Sequence, residues 1–279
     1  MDFSILQYQF MQNAILAGLL GGMACSVVGV FVVTMHLSFI GVCIAHAAFA
    51  GALLGLWLGF NPLIGALLFS LGSAAIVGPV ADRGELNPDT SIGIVFSLML
   101  GLAFLFMGLM PGARTEALNL FWGSILTVSR QDIIFLVAVT AAIVGLVVAF
   151  YKEIQAVICH RQVALAVGIP ATIVFYGLLF STGVAVTASL QTIGGLLIYS
   201  LILNPAAAAY QLTYSLKKML LIAVVFGVVS CWAGLAASYL LDIPSGAAIV
   251  ITSAIIFGLA TAFSPKRKVK GWQRAPISG

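Results

Sequence analysis

The chain has 279 residues, of which 62% are hydrophobic and only 7% charged, with a mean hydropathy of +1.18; soluble domains carry about a quarter charged residues. So little polar surface cannot clothe a water-soluble body, and the eight acidic residues, mostly at the ends of apolar stretches, supply neither a nucleotide site nor a solvated catalytic cleft. The net charge of +4 lacks the basic face with interleaved aromatics that nucleic acid requires, and reads instead as membrane topology.

The N-terminus, MDFSILQYQF, opens with an acid rather than a basic segment and shows no small-residue cleavage site before the first apolar run, so no cleaved signal peptide is expected. Apolar runs of about 20 residues, the length that crosses a hydrocarbon core as helix, are predicted over nine stretches. They are 12–34, 37–58, 60–80, 91–110, 132–151, 170–189, 191–211, 218–240 and 245–263. The stretch 165–211 can be divided differently, which leaves eight. The expected fold is therefore all-α, a polytopic membrane protein of 8–9 transmembrane helices. Residues 1–265 form one transmembrane domain and 266–279 a basic tail.

Runs one and two read as a tight hairpin turning near Met35 and His36, which puts Cys25 and His46 at similar depth. Cys43, three residues before His46, shares nearly the same helix face. Thiol with imidazole suits zinc, copper(I) or another soft or borderline metal; the competing reading makes the cysteines small packing residues and lets His46 donate to a backbone carbonyl. Asp89, directly after Pro88, is placed to favour a helix N-terminus. Between runs five and six, CHRQVALAVGIP (159–170) is mildly amphipathic, and Gly168 and Pro170 stop a short helix there. In run seven, Pro205 removes a backbone hydrogen bond and leaves a carbonyl for Asn204 or packed neighbours to satisfy. The small residues Ala206–Ala209 let another helix approach closely. A rocking gate and a tightly packed kink both fit that pattern.

Basic residues concentrate in cytoplasmic loops. With nine spans and the C-terminus inside, ten of the twelve Lys and Arg fall inside, leaving only Arg114 and Arg130 outside. The tail PKRKVKGWQR then lies against anionic lipid. No G-x-x-x-x-G-K-[ST] occurs in the chain, so any ATP hydrolysis belongs to a partner.

Four segments, in order along nearly the whole chain, carry a resemblance. They are ILAGLLGGMACSVVGVFVVTMHLSFIGVCIAHAAFAG (15–51), RGELNPDTSIGIVFSLMLGLAFLF (83–106) followed by LNLFWGSILTVSRQDI (118–133), the stretch from Gln162 to Ala209, and DIPSGAAIVITSAIIFGLATAFSP (242–265). Together they resemble the zinc, manganese and iron permeases of the ABC importer class. The resemblance implies a permease subunit in a prokaryotic cytoplasmic (inner) membrane that moves a divalent metal ion or metal chelate inward. It implies no tightly bound cofactor, and as partners a separate ABC ATPase, an extracytoplasmic metal-binding receptor and a second copy of the chain. It also implies that 159–170, with Arg161, Ala166, Gly168 and Pro170, is the coupling helix that docks on the ATPase, where physics alone equally allows a plain interfacial helix. Members carry D-x-x-S-H in the second span. Here the stretch is GVCIAHAAFAG, with His46 in the His position, Val42 in place of the Asp and Ala45 in place of the Ser.

The competing function is an ion-gradient-driven secondary transporter. That class uses intramembrane carboxylates and inverted repeats, and no Asp or Glu lies well inside any predicted span. An intramembrane hydrolase would need paired acids, a Ser with a base, or H-E-x-x-H, none of which is present.

Overall fold

A computed structural model describes residues 7–83, 88–110, 125 and 128–266. Ten helices are present among them: α1 Gln9–Thr34, α2 Ile40–Leu58, α3 Pro62–Arg83, α4 Pro88–Leu109, α5 Arg130–Ala149, α6 Tyr151–Ala166, α7 Ala171–Ile193, α8 Gly195–Leu212, α9 Leu216–Leu241 and α10 Ser245–Ala262. Each of the nine predicted runs is a helix with its ends displaced by a few residues, and α6 is the additional helix. Among the described residues, eight helices are long and apolar enough to cross a membrane. The helix α8 packs inside the bundle against α1, α2, α7, α9 and α10.

Burial sorts the helices into two shells. α1 and α2 are the most enclosed, while α4, α5 and α10 turn most of their length outward. Large apolar side chains point outward, among them Leu98 and Phe104 on α4, Ile134 on α5 and Ile255 on α10. This is the pattern of a surface that faces lipid or another membrane helix.

With hydrocarbon outside as well as inside, apolar burial alone does not hold helices together; close backbone approach and interhelical hydrogen bonds do. At Gly51 on α2 and Gly65 on α3, a Cβ on either residue would collide with the other's carbonyl oxygen. α1 makes a similar approach to α8, where a Cβ on Gly29 would meet the Ile202 carbonyl and lie 3.2 Å from Ala206 Cβ. The expected close packing at the alanine run is thus present, with Ala206, Ala208 and Ala209 fully buried.

The α1–α2 hairpin takes a different form from the one the sequence suggests. The turn is at the expected residues, with His36 at a left-handed φ of 57°, but the two helices splay and barely touch. α1 packs on α9, α8, α5 and α7, whereas α2 packs on α3, α4, α7 and α8. A short connection fixes only where two helices meet; their small-residue faces decide what each packs on.

Local signals account for several ends. Ser129 Oγ accepts from the Asp132 amide at 3.2 Å while Asp132 accepts from the Ser129 amide at 3.0 Å, a reciprocal cap that starts α5. The sequence SRQD carries this signal. Gly59 ends α2 in the left-handed conformation at φ 75°. The α8 C-terminus is held by the residues just beyond α10: Ser264 Oγ donates to the Gln211 carbonyl at 2.8 Å. Lys266 donates to the Tyr210 carbonyl and lies over the Tyr210 and Tyr214 rings; its partial burial draws the ammonium pKa below the usual lysine value.

Candidate functional site

Within Ile40–Leu53 of α2 every residue is buried except Val42 and His46. They lie one helical turn apart and continue the line of the exposed Phe39. His46 therefore sits on the one open stripe of the otherwise enclosed stretch Ile40–Leu53. Its Nδ1 pairs with the Val42 carbonyl at 3.0 Å, and its ring meets Phe96 of α4 edge-on with centroids 5.0 Å apart. With Nδ1 donating to that carbonyl, Nε2 is the nitrogen whose lone pair stays available to a ligand.

The two thiols turn elsewhere. Cys43 contacts Ser73 Oγ of α3 at 3.3 Å, and Cys25 donates to Ser189 Oγ of α7 at 3.6 Å. Both are buried and free. The trio of His46, Cys43 and Cys25 is thus divided among three neighbours, α4, α3 and α7. Among the described residues no three His, Cys, Asp or Glu side chains gather in a metal-holding group. The equal-depth argument for Cys25 and His46 fails for the reason the hairpin fails: depth along a splayed pair says nothing about which way each side chain points.

Sequence reasoning missed the hydroxyl seam these thiols join. Ser70 of α3 pairs with Thr187 of α7 at 2.9 Å, next to the Cys43–Ser73 and Cys25–Ser189 contacts along the α2, α3, α7 and α1 interfaces. Hydroxyls at 70 and 73, and at 187 and 189, stand out in apolar helices, but their partners lie as much as 164 residues away and leave no local trace.

Pro205 lies inside α8 as expected. Asn204 does not serve the carbonyl that Pro205 frees. Its Nδ2 donates to Ser200 Oγ at 2.8 Å and across the interface to Ser253 Oγ of α10 at 2.9 Å, and the two serines pair with each other at 3.1 Å. The predicted gate residue Asn204 therefore belongs to a three-member polar contact between α8 and α10.

The segment 159–170 divides at His160, where φ −156° and ψ 95° break the helix. The first half of α6 prolongs α5 past a bend at Phe150, and a short second piece runs from Arg161 to Ala166. Arg161 stacks over Phe175 of α7 at 5.1 Å, and Ala164 is buried. Val163, Leu165 and Val167 are 59%, 50% and 69% exposed, and Ala166 is exposed beside them. Gly168 stops the piece at φ 85°, and Pro170 precedes α7. The side chain of Asp89 and the whole of 111–124, with Arg114, lie outside the described residues.

Comparison with known proteins places these features in a family. Over 258 residues the chain is 35% identical to an uncharacterized membrane protein of Synechocystis, covering 92% of both. It is 31% identical to a manganese transport system membrane protein of Halalkalibacterium halodurans, over 95% of this chain and 91% of that one. The solved PsaBC of Streptococcus pneumoniae in complex with a Fab superposes with a TM-score of 0.86 at 30% identity, covering 97% of this chain and 98% of that chain. The model of the ABC 3 transport family matches residues 7–264, so the chain belongs to that family and is a transport subunit, with ATP hydrolysis left to a separate protein.

Proposed function

We propose that this permease carries a divalent metal ion, free or chelated, into the cytoplasm along a path that passes the Val42–His46 stripe. The observation that carries the proposal is that stripe: the positions matching the family's ligand face are the half-open ones on an enclosed helix. The manganese transport relative and the PsaBC likeness support metal as cargo. With Val42 where the family has a carboxylate, the stripe offers imidazole nitrogen and no anionic oxygen, a donor set that favours borderline metals over hard ones. A single weak donor also suits a path, because tight binding would retain the cargo.

Other parts of the chain take roles that fit this path. The outward apolar residues of 161–167 are the surface on which an ABC ATPase docks, and Gly168 fixes how that piece leaves the bundle. The α8–α10 contact around Asn204 is the element that shifts when the path opens. Two copies of the chain form the pore in a prokaryotic cytoplasmic membrane, with the N-terminus outside and the C-terminus in the cytoplasm, and a separate external receptor delivers the metal.

Cellular uptake of zinc, manganese and iron, normalised to assembled complex, tests the path. His46→Ala is expected to cut normalised uptake at least about tenfold, whereas Val42→Asp restores an oxygen ligand one turn away and shifts preference toward manganese. Unchanged normalised uptake of every metal in His46→Ala would remove His46 from the path.

A further inference from the structure

Away from the stripe, α5 and α9 both pack on α1 but leave between them a groove of about 810 Å³. Met23 and Val27 of α1 floor it, and Val148 of α5 and Val224 of α9 stand among its walls. At one end the lining changes character within a single turn, to Lys152 and Glu153 from α6 and Lys217 from the start of α9. Both lysines are exposed, as is Lys218 next in the chain.

We propose that this groove is a binding site for an anionic phospholipid of the leaflet into which Lys152 and Lys217 open. Three features select that occupant. The rim carries two cations against one carboxylate, so it attracts a headgroup of net negative charge more than a zwitterionic one. The apolar part runs from Lys217 to Val224, roughly 10 Å along the helix axis, the direction and depth an acyl chain takes below a phosphate held at the interface. The groove also opens sideways, since Val148 is 71% and Leu221 62% exposed, which admits a lipid diffusing within the membrane. The site joins α5, whose continuation leads to the exposed segment 161–167, to the core helix α1. A bound lipid therefore braces the helix that carries that segment.

The detergent-purified full chain, titrated separately with phosphatidylglycerol and phosphatidylcholine of identical acyl chains, tests the site by native mass spectrometry of retained lipid. One phosphatidylglycerol per protomer is expected to persist where phosphatidylcholine is lost. Each lysine near an anionic headgroup contributes roughly fivefold, so Lys152→Gln with Lys217→Gln together should weaken retention on the order of thirtyfold. Val148→Trp, which fills the groove from its lipid-facing side without touching charge, should also displace the lipid, while Arg130→Gln at the opposite end of α5 should leave it in place. Equal retention of the two lipids, no retention of either, or undiminished retention in the double-lysine variant would overturn the proposal. If Val148→Trp instead separates dimers into monomers with no change in lipid, the groove belongs to a second copy of the chain and the lipid reading falls.

Discussion

Two helix contacts in this bundle are built on opposite principles. The α2–α3 pair meets backbone to backbone at Gly51 and Gly65, with the buried Cys43–Ser73 contact beside it. The α8–α10 pair meets side chain to side chain, through Ser200, Asn204 and Ser253, on a helix whose hydrogen-bond ladder Pro205 has already interrupted. Backbone contact admits one register, because no side chain can rotate to relieve a shift. A cluster of three hydroxyl and amide groups has alternative pairings of similar energy, because each member can exchange partners as the helices slide. The first contact holds the scaffold that presents His46; the second is the contact proposed to move.

The largest effect expected from breaking this contrast is at Gly51. Overpacking a core costs ~1–3 kcal/mol, and here the obstruction is the Gly65 carbonyl rather than a flexible side chain. Gly51→Leu should therefore exceed that range, and extraction should yield little or no monodisperse protein by size-exclusion chromatography. Recovery of normal amounts with a normal melting temperature would show that the α2–α3 contact is adjustable after all.

Next comes Asn204→Ala. It removes two hydrogen bonds but leaves the Ser200–Ser253 pair intact, so its cost is expected near ~1 kcal/mol, within the span measured for interhelical hydrogen bonds in membranes. Assembly should persist, while uptake per assembled complex should change severalfold. Unaltered uptake with lowered stability would make the α8–α10 contact as static as the α2–α3 one. Ser253→Ala removes both bonds that cross the interface, to Ser200 and from Asn204, and should likewise cost ~1 kcal/mol, with Asn204 keeping its bond to Ser200; its uptake change should have the same sign as that of Asn204→Ala.

The smallest effect sharpens the comparison from the other side. Ser73→Ala removes a weak thiol–hydroxyl contact from an interface already held by backbone packing, so a loss of a few tenths of a kcal/mol is expected, with uptake per complex unchanged. Should Ser73→Ala alter metal preference, Cys43 would have to be counted with the path rather than with the packing.

Much of this protein is determined by its sequence alone. Apolar runs of membrane-spanning length require helices, because only a helix satisfies its own backbone in hydrocarbon. Gly168 and Gly59 stop helices where their left-handed φ is needed. Pro205 interrupts α8 in any environment. Which residues face one another was decided only by the tertiary structure. Cys25, Cys43 and His46 look like neighbours on a hairpin, yet the splay of α1 and α2 sends them to Ser189, Ser73 and Phe96. Asn204 stands in sequence beside the carbonyl it was expected to serve, yet it reaches a serine 49 residues away. In a chain whose outward and inward faces are equally apolar, hydropathy does not mark the core side of a helix. The match of small residues and hydroxyls across each interface does, and it exists only once the helices are assembled.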